Sequence, residues 1–347
     1  MISNLKKFLP RFLPIFLFVI TVFFALSAPN AFALTITPIR FELKANPGQT
    51  IKQEITLFNE HETEEILYVS YANFEASGDS GNPTFVEPKD GLGTWMNAAE
   101  KVTIAPKSSQ IVPLVITVPH DATPGGHFAV AFWGTVPPKS TSNQVSIGSK
   151  TGVLVLLSVS GAVSEDGGII EFDTKDKKNF YTSLPVSFFY KFQNNGGDRV
   201  KPTGNIIIKN MIGITASKVQ GNPVDGNVLP NSTRKIETVW QGKDGDTPID
   251  DVDQGNFFTK AGREWRNFAF GYYKANLSLS YGTKNQVTMA SVGIWVFPWH
   301  LLILILIVGC IAYIALRKGI SHYNNWVISR AEDMLRREHV RRSKKQQ

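Results

Sequence analysis

Between Phe297 and Leu316 the chain runs for 20 residues without a formal charge, most of them Ile, Leu or Val. At ~1.5 Å rise per residue, such a helix spans the ~30 Å hydrocarbon core of a bilayer. Trp295 and Trp299 stand at its start, where amphipathic rings favour the headgroup layer. Arg317 and Lys318 follow at once, then a tail rich in Lys and Arg, which predicts a cytoplasmic C-terminus. A helix buried in a soluble core is the alternative, but soluble cores seldom supply ~18 uncharged residues in a row. The expected span covers residues 294–316 and the basic tail 317–347. Whatever else the chain builds must fold beside a membrane.

The other end predicts the orientation. Lys6, Lys7 and Arg11 precede an apolar run from Phe12 to Leu26, and Ala31-Phe32-Ala33 fits small-x-small cleavage. Residues 1–33 are read as a signal peptide, with Leu34 as the mature N-terminus. An uncleaved anchor is the competing reading, although the run is short for a span and Pro14 interrupts it. Residues 34 to about 293 are then extracellular.

Charge follows this division. The formal net charge is +7, but the leader holds three basic residues and the tail nine basic against three acidic. That leaves 24 basic and 26 acidic residues in between. The folded part is slightly acidic, so nucleic acid is not an expected partner. The single cysteine, Cys310, falls inside the span, so the exported part has neither disulfide nor thiol nucleophile.

The exported part reads as all-β. Alternating apolar residues mark strands at Val112–Val118, Phe128–Phe132, Val153–Val159, Val186–Phe192 and Tyr273–Tyr281. Pro, Gly, Asn and Asp punctuate them, and no amphipathic helix of useful length is expected between Leu34 and Gly293. Short strands at this spacing predict β-sandwiches, with a barrel as the alternative. About 260 residues suffice for two domains with real cores.

A weak internal repeat supports two domains. Asn59 and later Pro106-Lys107-Ser108 bracket the first copy; Asn194-Asn195-Gly196 and later Pro230-Asn231-Ser232 bracket the second. The expected domains are 34–163 and 164–293. Two stretches look irregular: Ser77–Gly93 in the first domain, and the acidic Lys243–Asn256 in the second.

The order of signal peptide, two immunoglobulin-like domains, single span and basic tail resembles the WxL-interacting proteins of Gram-positive bacterial surfaces, with a pilus-chaperone-like first domain. The residues that carry the resemblance are Thr37-Pro38-Ile39, Pro47-Gly48, Asn59, Pro106-x-Ser108-Ser109 and Pro124-Gly125-Gly126-His127-Phe128 in the first domain. In the second they are Asn194-Asn195-Gly196, Pro202-x-Gly204 with Ile206-Ile207-Ile208, and Leu229-Pro230-x-Ser232. The resemblance implies peptidoglycan association by the first domain and a surface-protein partner for the second. It speaks to architecture more than to ligand.

Catalytic patterns are weak. His61, His120 and His127 share no metal-ligand spacing, and there is no Gly-x-Ser-x-Gly elbow or Gly-rich phosphate loop. Asp244, Asp246, Asp250, Asp251 and Asp253 alternate as Ca²⁺ ligands can, but Pro248 and the missing closing Glu break the EF-hand order. A solvated acidic loop is the plain reading, so no metal and no cofactor is expected. Trp95, Trp133 and Trp240 are candidate carbohydrate platforms, or packing residues. The expected partner-binding loop is Ser77–Gly93 with its exit, through Phe85, Val86, Leu92 and Trp95. In the tail, Ile320, Tyr323, Val327, Ala331 and Met334 recur at helical spacing. They suit either a helix on the inner leaflet or a solvated tail.

The reading that results is a non-catalytic, single-pass cell-membrane protein binding cell wall or a surface protein. The alternatives are a membrane-tethered assembly factor or chaperone that presents a sheet edge, and an accessory subunit of a wall enzyme.

Overall fold

A computed structural model describes residues 34–137, 149–241 and 255–345. The expected signal peptide and the aspartates of the acidic loop lie outside the described residues. The chain divides into two compact units: residues 1–75 with 84–162, and residues 76–83 with 163–347. Both are immunoglobulin-like β-sandwiches.

In the first unit one sheet runs β1 (Leu34–Thr37), β3 (Thr50–Asn59), β8 (Ser109–Thr117), β6 (Met96–Asn97). The other runs β2 (Arg40–Ala45), β10 (Lys150–Val159), β9 (Gly125–Gly134), β4 (Glu65–Ser77), β5 (Asn82–Val86), with β7 (Lys101–Ile104) also on β4. The chain changes sheet between β1 and β2 at Pro38, which has no N–H to continue a ladder. β2 then lies parallel to β10, while the other pairs are antiparallel. Alternation sends Ile55, Leu57, Leu114 and Ile116 inward from one sheet and Leu67, Trp133, Val155 and Leu157 from the other. The stretch Ser77–Gly93 is not the irregular loop expected. β4 runs through to Ser77, β5 occupies Asn82–Val86, and a short helix α1 spans Leu92–Trp95.

The second unit packs a sheet of β11 (Gly167–Thr174), β13 (Val186–Asn194) and β16 (Ser232–Trp240) against one of β12 (Phe180–Tyr181), β18 (Gln286–Val296), β17 (Gly271–Tyr281), β14 (Thr203–Asn210) and β15 (Thr215–Gln220). Its core joins Phe188, Tyr190, Phe192, Ile206, Ile208, Leu277 and Ile294. β18 continues three residues past Gly293, with Ile294 and Val296 fully buried. The span therefore cannot begin at residue 294.

Two helices complete this unit. α2 (Phe257–Arg266) corrects the expectation of no helix before Gly293; Asn256 caps it, its Oδ1 accepting from Thr259 N at 2.9 Å. α3 (Trp299–Lys345) has 47 residues, about 70 Å at 1.5 Å per residue. The apolar span and the basic tail thus form one continuous helix. It is the one helix among the described residues long and apolar enough to cross a membrane, and only 11% of its most apolar stretch is buried.

The sequence repeat has a structural meaning. Asn59 is fully buried: its Nδ2 donates to Thr63 O, Ile104 O and Ala105 O at 2.8, 3.2 and 3.2 Å, and its Oδ1 accepts from His61 N. Asn194 is its counterpart, donating to Asp198 O at 2.8 Å and Val228 O at 3.0 Å and accepting from Gly196 N. In both units the turn residue before the repeat serine, Lys107 or Asn231, has positive φ. The serine itself closes the turn: Ser108 Oγ donates to Ala105 O, and Ser232 Oγ to Leu229 O. One buried amide per sandwich thus ties a strand end to the turn before a later strand.

Candidate functional site

Backbone alternation decides what the six-stranded sheet of the first unit shows outward. Ala129, Ala131 and Trp133 of β9 enter the core, so Phe128, Val130 and Phe132 point the other way. On β4 the same parity places Phe74 outward. β5 brings Phe85 to this face, its ring edge-on to Phe132 at 5.1 Å and to Phe74 at 6.4 Å; Phe74 meets Phe128 at 5.8 Å. Lys150 Nζ lies 4.4 Å from the Phe132 ring centre, a cation–π contact. A Cβ on Gly152 would fall 2.6 Å from Val130 Cγ2 and 2.7 Å from Phe132 Cδ1, so glycine allows the ring to lie against β10. Phe85 and Val86 remain about half exposed. Among the described residues β5 pairs with β4 alone. The result is a strand edge bordered by exposed apolar side chains.

Of the four residues expected to bind a partner together, Phe85 and Val86 share this surface. Leu92 does not: at 1% exposure it is part of the core. Trp95 packs partly buried against the core, its ring 4.6 Å from that of His127, whose Nε2 donates to Thr123 O at 2.8 Å. Helix α1 turns both side chains inward; Gly91 at its start has φ 71°, a conformation glycine adopts freely. The four residues therefore form no single patch. Trp133 and Trp240 are buried in the two cores and cannot serve as carbohydrate platforms. Among the described residues no three His, Cys, Asp or Glu side chains are grouped to hold a metal.

Sequence reasoning missed a second site, where α2 meets the start of α3. Glu264, 2% exposed, accepts from His300 Nδ1 at 2.6 Å and from Leu301 N at 2.7 Å. Leu301 N belongs to the first turn of α3, whose N–H groups have no partner within the helix. A carboxylate there also meets the positive end of the helix dipole. Glu264 thus caps the long helix from a different element. Beside it lies a cavity of about 180 Å³ lined by Thr182, Ser183, Lys260, Arg263, Trp299 and His300. Phe257, Ala261 and Glu264 recur at i, i+4 and i+7, a spacing that seats an acid at a core position and so leaves no apolar stripe to find in the sequence.

The outer face of β11–β13–β16 differs again. Lys191 meets Asp79 at 3.0 Å and Glu171 at 3.6 Å; Lys175 and Lys235 both meet Glu237, at 3.0 and 2.8 Å. Hydrogen bonds hold three carboxyls below their ordinary range: Asp79 through Lys191, Glu171 chiefly through Lys177 Nζ at 2.8 Å, and Glu237 through Lys235 and Lys175. Glu165 is lowered likewise by the Thr283 hydroxyl and backbone N–H.

No family model matches the chain, and no curated protein matches it. Solved structures with a similar strand arrangement include the class 5 fimbriae chaperone CfaA, at 14% identity and TM-score 0.36 over 75% of this chain and 98% of that one. The E. coli chaperone DraB aligns at 11% identity and TM-score 0.31 over 75% and 98%. The Salmonella enterica SafA pilin–SafB chaperone structure aligns at 8% and 0.33 over 76% and 99%.

Proposed function

We propose that this chain is a single-pass membrane protein that holds two immunoglobulin-like sandwiches outside the cell and binds a protein partner without catalysing a reaction. The observation that carries this reading is α3. Its apolar stretch is 11% buried, and an uncovered helix of Ile, Leu and Val is stable in lipid, not in water. The basic residues after Leu316 favour a cytoplasmic tail, which leaves the sandwiches on the other side. Glu264 supports the tethering role, since it joins the start of α3 to α2.

Within this reading the contact lies at β5. An extended segment of the partner adds to its unpaired edge, main chain to main chain, and places apolar side chains against Phe85 and Val86. This is the assembly-factor form of the binding reading. The resemblance to WxL-interacting proteins adds the cell wall as a ligand of the first unit.

Two measurements test the proposal. External protease on intact cells should degrade the sandwiches and spare a C-terminal tag; loss of the tag would refute the orientation. The full-length Phe85→Lys variant, with melting unchanged, should bind the partner about tenfold more weakly, ~1.4 kcal/mol. Weakened binding to isolated wall instead would assign Phe85 to the wall. Unchanged binding to both would remove β5 from the function.

A further inference from the structure

The second unit carries its exposed aromatic residues where α3 begins. Phe258 and Trp265, seven residues apart on one face of α2, are 70% and 67% exposed. Past the helix, Phe270 is about half exposed and its ring lies 5.6 Å from that of Phe297, between β18 and α3. The turn between β14 and β15 is apolar as well, with Ile212 72% exposed and Met211 beside Gly271. An apolar surface of this extent is uncommon on a protein bathed in water.

We propose that this end of the second unit is a lipid-binding surface, seated in the headgroup layer of the outer leaflet around the entry of α3. The inference rests on the reading of α3 as a span, and goes beyond it by giving the sandwich its own contact with the bilayer. Continuity identifies the occupant. The exposed apolar face of α3 is present by Ile303, so the hydrocarbon boundary falls within about one 5.4 Å turn of Trp299. Phe257 touches Trp299 at 6.3 Å, and Phe297 touches both Phe270 and Phe180. Rings in contact with the entry of a span lie at its interface, the depth that Trp and other amphipathic rings favour. The opposite end of β18, at Gln286, is 10 residues from Val296, ~33 Å along a strand, and should stay in water.

Full-length protein in phosphatidylcholine vesicles tests this with an environment-sensitive fluorophore on single cysteines. Cys310, the natural cysteine, is labelled in one sample. In a Cys310→Ala background, Ile212→Cys and Phe268→Cys probe the surface, Phe268 being 59% exposed between Trp265 and Phe270, and Lys284→Cys probes the far turn, each label attached in detergent before reconstitution. Lipids with a shallow quencher should reduce emission at positions 268 and 212 by at least about twofold and leave position 284 unchanged. Lipids with a deep quencher should reduce emission at 310. Quenching at 310 without quenching at 268 or 212 would keep the span and overturn the lipid-binding surface. No quenching at 310 would overturn the span itself. Shielding at 268 and 212 that grows with protein-to-lipid ratio, without shallow quenching, would assign the surface to a second copy and also overturn the proposal. Position 212 lies in an exposed turn, so it reads the surface even where Phe268→Cys perturbs folding.

Discussion

The two sandwiches share a clasp and differ in what they turn outward. Asn59 and Asn194 hold equivalent turns, and each core is built by alternation. Yet the outer face of the six-stranded sheet in the first unit is aromatic, with Phe74, Phe85, Phe128 and Phe132 in contact. The outer face of β11–β13–β16, the second unit's counterpart of β1–β3–β8, is charged instead: Phe189 is 3% exposed, and Lys235 stands over its ring at 4.8 Å, itself paired with Glu237. The second unit alone adds α2 and the long helix. A common core thus specifies the fold, and the faces that the core does not need are where the two units have become different things.

The clasp offers the largest test of that comparison. Asn59→Ala removes the shared partner of three carbonyls and of the His61 N–H; the bond to Ile104 O is buried and the other three are partly so. At ~1–3 kcal/mol per orphaned buried group, with partial relaxation, the loss should be about 3 kcal/mol. Asn194→Ala should cost the second unit a similar amount. Chemical denaturation followed by a probe in each unit should show each variant shifting its own transition. Equal shifts of both transitions by either variant would mean that the units are not independent cores.

The helix cap comes next. Glu264→Gln keeps the shape but removes the charge that holds His300 and Leu301 N, and should cost about 1–2 kcal/mol. Hydrogen exchange should quicken at the first turn of α3 and leave the first unit as it was. Unchanged protection at Leu301 would show that the cap does not hold the helix.

Acid should separate the units more gently. The lowered carboxyls of Asp79, Glu165, Glu171 and Glu237 all lie in the second unit. A carboxyl whose folded value is depressed contributes stability above its unfolded value of about 4, and loses it as pH falls through the folded value. The second unit should therefore weaken below pH ~4. The effect should be small and should shrink in high salt, because these groups are exposed. A second-unit transition that is insensitive to pH in that window, at low salt, would show that the charged face contributes nothing.

Much of this organisation was legible in the chain. The alternation at Val112–Val118 and Val153–Val159 gave strands because a two-residue period has one buried face. The paired Asn and Pro-x-Ser signals located equivalent turns because a buried amide and a capped turn require those residue types. α2 was not legible: ten residues with Glu264 on the inward face look polar until a second helix end is placed above the carboxylate. Nor was the division of the expected binding loop. Phe85 and Leu92 are seven residues apart in the same expected loop, but β5 and α1 send one outward and the other into the core.

By itself, then, the sequence determined the elements set by local period and composition: all-β units, a charge-free helix of spanning length and a basic tail. Those properties depend on neighbours within a few residues and need no knowledge of the rest of the chain. Only the tertiary structure decided which apolar residues remain outside. Exposure at Phe85, Trp265 or Ile212 depends on which strands lie beside and above them, and pairing between residues distant in sequence leaves no local signal.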